Sequence, residues 1–395
     1  MIKLLDHPKT KYYLLTIILL GVVVKLFLFD YQYIDYGFYL SSWIENIKTN
    51  GYFSALKDPF YNYTPMYMYV LVLIAKLDLY PLYAIKLVSI GFEYLLAFFI
   101  GQLAFLHVKR KNVIWLAMAI IPLVPTVLLN SSFMSQCDAL YASFAVGSVY
   151  FALTNKPWKA MLFLGIAFSL KVQTAIILPF YFVYMLRGDI KWYMFLLIPV
   201  IYFLSVLPVW MVGRPLMDLL TIYLGQASYN TELVKNFPNF YVWVAEWGSV
   251  AKGIGLAIIL TLTLVGGWLL SKNKYHLTLG NWYQLLLVSA VVCPFFLPGM
   301  LERYMYLGDV FAILLVLIAP KMKNVLLAFG VVFISFYSYI RTIYIFSFSQ
   351  EALYPSSPFS IFEFLPWKIV SVVYVLIIVW LFYDFYKNIS KPKLI

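Results

Sequence analysis

The chemistry available to this sequence rests on a few ionisable side chains set among apolar ones. Asp35 opens "DYGFYLSSWIENI", where Tyr36, Tyr39, Leu40, Trp43, Ile44 and Ile47 recur at helical spacing. A carboxylate heading an interfacial amphipathic helix can take a proton from a hydroxyl, and partial desolvation suits it to that task. It can equally well cap the helix. Gln136 and Asp138 in "SSFMSQCDALYASF" stand where one apolar run turns into the next, and Asp138 too could be a cap. Lys171 and Gln173 interrupt "LGIAFSLKVQTAIILP" without the charges of an ordinary loop. An ionisable residue at such depth points to function, with snorkelling to the surface as the alternative.

"FFLPGMLERYMYLGDVFAI" is the densest stretch. Pro298 and Gly299 break the backbone, Glu302 and Arg303 should sit on the first turn of a helix, and Asp309 follows two turns on. A helix N-terminus with a guanidinium suits a phosphate. A Glu302–Arg303 or Arg303–Asp309 pair that neutralises buried charge is the competing reading. Thr64-Pro65 in "NYTPMYMY" starts a short aromatic helix, with Pro in its first turn.

These residues must be positioned by helices in a bilayer. The chain has 395 residues, 64% hydrophobic and 12% charged, with a mean hydropathy of +0.86. A soluble domain is nearer a quarter charged. The expected architecture is an all-α polytopic membrane protein, one integral domain over residues 1–395. Two cysteines and three scattered histidines offer no metal-ligand spacing, so neither metal nor cofactor is expected. The net charge of +12 does not imply nucleic acid. Its clusters ("VKRKN", "TNKPWK", "RGDIK", "SKNK", "PKMKN" and the tail "KNISKPK") separate apolar runs as the positive-inside rule requires. The first apolar run lacks a small-residue cleavage site and reads as an uncleaved span.

With both termini in the cytoplasm, about twelve spans follow: 12–29, 82–106, 113–130, 137–153, 160–172, 174–186, 192–211, 250–271, 279–296, 303–319, 324–345 and 367–386. The run over 160–186 is split near Lys171 to Thr174. The helix from Pro65 is half a span and lies in the first outer loop, about 30–81. A second outer loop covers 212–249. Most acids, including Asp30, Asp35, Asp138 and Glu302, then fall on the outer side.

In order, these phrases resemble a known family. Asp35 with Tyr39 and Trp43 is followed by Tyr63-Thr64-Pro65. Ser135-Gln136-Cys137-Asp138 precedes Tyr141, and Gly165, Ala167, Phe168, Ser169, Lys171 and Gln173 form a third phrase. Asn236, Pro238, Asn239, Tyr241 and Trp243 come next, then Glu302, Arg303, Tyr304 and Asp309. The pattern is similar to that of the GT-C fold glycosyltransferases, in the bacterial multipass group related to the GPI-anchor second mannosyltransferase. It covers residues 30 to about 315. Thr64 stands where the family has Pro, Ser135 where it has Gly, and Leu301 where it usually has His.

The resemblance implies inverting transfer of a hexose from a polyprenyl- or dolichyl-phosphate donor to a lipid-linked or surface glycan acceptor, on the outer face of a bacterial plasma membrane. It implies Asp35 as the base; were Asp35 to fail as the base, Asp30 is the next candidate by its place in the same outer loop. Arg303 and Lys171 would meet the donor phosphate. Gln136, Asp138, Gln173, Asn239, Glu302 and Asp309 would complete the site. No nucleotide-binding fingerprint is present, which agrees with a lipid-linked donor. A polysaccharide polymerase or ligase is the nearest competitor, but it would be expected to lack the early Asp-helix phrase. A lipid-linked sugar flippase would place its charges at the midplane of broken, repeated helices.

Overall fold

A computed structural model describes residues 6–7, 9–229, 232–272, 275–348 and 365–389. The basic tail beyond residue 389 and half of "SKNK" lie outside the described residues. Within them the chain is all-α, with a single isolated bridge, Val234 to Met300. The helices are α1 (Thr10–Leu26), α2 (Ser41–Thr49), α3 (Pro65–Ala75), α4 (Pro81–Val108), α5 (Asn112–Ile120), α6 (Pro125–Leu128), α7 (Asp138–Leu153), α8 (Pro157–Leu170) and α9 (Leu178–Leu186). They continue with α10 (Leu197–Met211), α11 (Leu216–Leu220), α12 (Ile222–Tyr229), α13 (Gly248–Ser271), α14 (Leu279–Phe296), α15 (Tyr306–Ile318), α16 (Met322–Phe348) and α17 (Trp367–Asn388).

Among the described residues six helical stretches are long and apolar enough to cross a membrane: Pro81–Val108, Trp192–Met211, Ala245–Ser271, Leu279–Phe296, Met322–Ile345 and Trp367–Asn388. A seventh is added if Asn112–Leu123 and Pro125–Phe133, bent by 62° to one another, count as one span. These account for seven of the twelve expected spans by length and composition. The segments over 137–153, 160–172, 174–186 and 303–319 are helical but shorter than the roughly twenty residues a straight crossing needs. The last loses its first turn because α15 begins at Tyr306, so Glu302 and Arg303 lie in the turn before the helix, not on it.

Other boundaries follow the residues. α8 stops at Leu170, Lys171 is extended (φ −151°, ψ 139°), and a tight 3₁₀ segment, Val172–Ile177, leads into α9. The expected split is therefore at Lys171. Pro65 is the first residue of α3. Pro125 follows the 62° bend, where a proline removes a backbone donor. Two small clusters stand apart, around Tyr33 and Tyr339 and around Tyr241, but most of the core is one large apolar cluster, to which α7, with Ala, Gly and Ser along its length, contributes. One charged pair is sealed inside it: Lys25 Nζ of α1 lies 2.7 Å from Glu93 Oε2 of α4, both with no exposure. The pairing offsets the cost of burying either charge alone at that depth.

Candidate active site

The expected amphipathic helix is present, and it starts with a wide turn. Residues Tyr36–Leu40 are π-helical and run directly into α2. Tyr36, Leu40, Trp43, Ile44 and Ile47 are buried, while Tyr39 is 46% exposed. A second π-helical segment, Leu129–Phe133, precedes Ser135-Gln136-Cys137-Asp138. Such turns concentrate at functional sites because the extra residue re-aims the side chains around it. Here each lies beside an acid of the site.

Asp35 makes no capping hydrogen bond. Its Oδ2 instead accepts from Gln136 Nε2 at 2.6 Å. Arg303 Nη1 stands 3.7 Å from the same oxygen. That guanidinium also pairs with Glu302 Oε1 at 2.8 Å, and its Nε lies 4.0 Å from Asp138 Oδ2. Asp138 is not a cap either, since its carboxylate takes Lys171 Nζ at 2.8 Å and Asn130 Nδ2 at 2.8 Å. Asn130 also donates to the Tyr339 hydroxyl at 2.9 Å. Four distant segments thus meet in one charged cluster. Its floor is closed, for Asp138 and Glu302 are essentially unexposed and Lys171 nearly so. Its mouth is formed by Asp35, whose side chain is 28% exposed, and Arg303 at 12%.

The electrostatics are uneven. Three carboxylates face two cations. Burial pushes the Glu302 carboxyl above the usual carboxylate range, and the Arg303 guanidinium opposes that shift. Tyr63 lies under Lys171, with the ammonium 5.5 Å from the ring centroid, and Trp43 meets the Tyr63 ring edge-on at 5.5 Å.

Several expected site residues have other tasks. Asp30 is exposed and accepts a close hydrogen bond from the Tyr83 hydroxyl. Asp309 is sealed in α15, where Thr126 Oγ1 donates to its Oδ2 at 2.7 Å, and among the described residues it makes no ion pair with Arg303. Asn239 braces backbone: its amide reaches the carbonyls of Leu233 (3.1 Å) and Leu297 (3.4 Å), and its Oδ1 takes the N–H of Tyr241. This fixes the strand-like contact around Gly299 (φ +65°), just ahead of Glu302. Gln173 is half-buried in the 3₁₀ segment after Lys171.

Two of the positions where the sequence departs from the pattern it resembles have a structural task. Ser135 is buried at φ +57°, a left-handed conformation that favours glycine, the residue the pattern has there. Thr64 uses its hydroxyl on the Ser169 carbonyl at 2.7 Å, which ties the start of α3 to the end of α8. Sequence reasoning missed Asn130 and Tyr339. The polar run Asn130-Ser131-Ser132 closing an apolar segment was the available signal. No protein-family model matches the chain, and no curated protein matches it.

Proposed function

We propose that the protein is an inverting glycosyltransferase of GT-C architecture. It transfers a hexose from a polyprenyl-phosphate donor to a lipid-linked or cell-surface glycan acceptor, on the outer side of a bacterial plasma membrane, with both termini cytoplasmic. In this reading all twelve apolar segments cross, the short ones as broken spans completed by the residues that flank them or matched by local thinning of the bilayer. The observation that carries the proposal is the convergence of Asp35, Gln136, Asp138, Lys171, Glu302 and Arg303 on one cluster with a carboxylate and a guanidinium at its mouth.

The roles follow from this geometry. Gln136 occupies Asp35 Oδ2 and fixes the carboxylate plane, so that Oδ1 can take the proton of the acceptor hydroxyl. The acceptor oxygen then bonds to the anomeric carbon as the bond from that carbon to the phosphate oxygen breaks. The electron pair leaves with the lipid phosphate. Arg303, the cation at the mouth, stabilises that growing charge. Lys171, expected beside the donor phosphate, is paired with Asp138 and nearly covered, so its part in this reading is to set the field around Arg303.

The test is transfer from a synthetic polyprenyl-phosphate hexose by purified protein in nanodiscs. Asp35→Asn should keep the fold and lower turnover by about 10²–10⁴-fold. Wild-type turnover in this variant would remove Asp35 as the base.

A further inference from the structure

The connector between α1 and Asp35 is gripped by one face of α4. Tyr80, Tyr83 and Lys86 are spaced by three, so they share a side of the first two turns. Gln32 Nε2 donates to the Tyr80 hydroxyl at 2.8 Å, and the Tyr83 hydroxyl donates to Asp30. The Lys86 ammonium, with no exposure, donates to the carbonyls of Leu28 (2.8 Å), Phe29 (2.9 Å) and Tyr31 (2.7 Å). The hydroxyl of Tyr36, the residue after Asp35, interacts with that of Tyr80.

Lys86 is an unusual use of a charge. It pairs with no acid among the described residues, and all three of its protons go to main-chain oxygens. These carbonyls belong to the irregular connector past the end of α1, where no regular ladder supplies their donors and a buried oxygen needs one. A single tetrahedral donor meets three of them and fixes the exit path of the chain. The opposite side of the connector is packed as well: Tyr31 stacks on Phe133 at 3.7 Å, and Tyr33 lies against Met134 and Tyr339. The chain is therefore held on both sides between residues 28 and 36, while the Asp35 carboxylate accepts from Gln136 and faces Arg303.

We infer that Lys86, with Tyr83 and Tyr80, is a positioning device: it fixes the connector so that Asp35 is presented to Gln136 and Arg303 in one geometry. This rests on the function proposed above only for its effect on rate. The structural part stands alone. Asp30 belongs to the clasp and is no reserve base.

The experiment uses full-length protein in nanodiscs, with Lys86→Met and Tyr83→Phe. Hydrogen exchange is read over residues 28–40, with α7 and α14 as internal references. Transfer kinetics are read with a synthetic polyprenyl-phosphate hexose. Lys86→Met should speed exchange over 28–40 by tenfold or more and leave the references unchanged. It should lower kcat by about 10²-fold, the cost of a misplaced catalytic group, with the donor KM within about twofold because Arg303 is untouched. Tyr83→Phe should give a smaller effect in the same sense, and it decides the matter if Lys86→Met does not fold. Unchanged exchange over 28–40 overturns the clasp, and faster exchange with wild-type kcat overturns its link to Asp35. A wild-type protein that transfers no sugar refutes the proposed function, and the exchange measurement still decides the clasp.

Discussion

Lys171 and Asp138 can be separated from the donor by a double-mutant cycle. The pair is 2.8 Å apart, with Asp138 fully buried and the Lys171 side chain 7% exposed. Lys171→Gln leaves the Asp138 carboxylate with Asn130 at 2.8 Å and the Arg303 Nε at 4.0 Å. Asp138→Asn leaves an ammonium with no acid and a guanidinium nearby. Breaking one partner of a buried pair costs about 3–5 kcal/mol, whereas replacing both by neutral groups is often close to neutral. At roughly 2 °C per kcal/mol for a chain of this size, each single variant should lose about 6–10 °C in apparent midpoint. The double variant should regain at least half of that. Thermal unfolding in nanodiscs at one fixed scan rate is the assay, because large membrane proteins unfold irreversibly. Single variants as stable as wild type, or a double variant as unstable as the singles, would refute the reasoning. Transfer measured alongside sorts the roles. If Lys171 only neutralises Asp138, activity returns with stability, and if it meets the donor phosphate, activity stays low in the stable double variant.

Arg303→Lys should raise the donor KM and lower kcat, together about 10-fold or more in kcat/KM, because a planar fork becomes one point donor. A donor titration unchanged from wild type would assign Arg303 to charge neutralisation alone. Glu302 adds a negative charge 2.8 Å from Arg303, and its carboxyl is raised by burial. Lowering the pH through its titration removes that charge, so the donor KM should fall as pH falls, and Glu302→Gln should be flat over the same range. A wild-type KM that rises towards acid in that window contradicts the charge count. EDTA should leave turnover within about twofold, because Lys171 and Arg303 already stand among Asp35, Asp138 and Glu302, where a divalent ion would have to displace them. Loss of activity to chelator with recovery on added manganese would reverse this.

Much of the site was legible because its residues break a local pattern. Lys171 interrupts an apolar run, and the helix breaks there. Asp35 heads a strong apolar stripe, and five of its six residues are buried. What the sequence could not supply was pairing between distant segments. Asp35 and Asp138 look alike as caps, yet neither caps, because Gln136 and Lys171 reach them across more than thirty residues. Asp309 and Asn239 were expected beside Arg303, but the first turns to Thr126 and the second to backbone. Lys86 follows the same rule as Lys171, an ionisable residue in an apolar run, and its neighbours gave no hint that its partners would be carbonyls. Helix length was the least legible quantity. An apolar run marks where a segment is buried, and the helix within it can start a turn late, as α15 does at Tyr306.

The bent segment after Val124 has a consequence for how the molecule is made. Thr126, Asn130, Ser131 and Ser132 carry polar groups into a region sealed from solvent. Lipid offers such groups no partners. Two of their partners come from much later in the chain: Asp309 is 183 residues beyond Thr126, and Tyr339 is 209 beyond Asn130. At about 5–20 residues per second the ribosome reaches Asp309 roughly 10–40 s after Thr126. During that interval the nascent segment has to be sheltered by the insertion machinery or remain at the surface. Biogenesis therefore runs against the order of the chain here, since the centre of the bundle is completed only when its last third arrives.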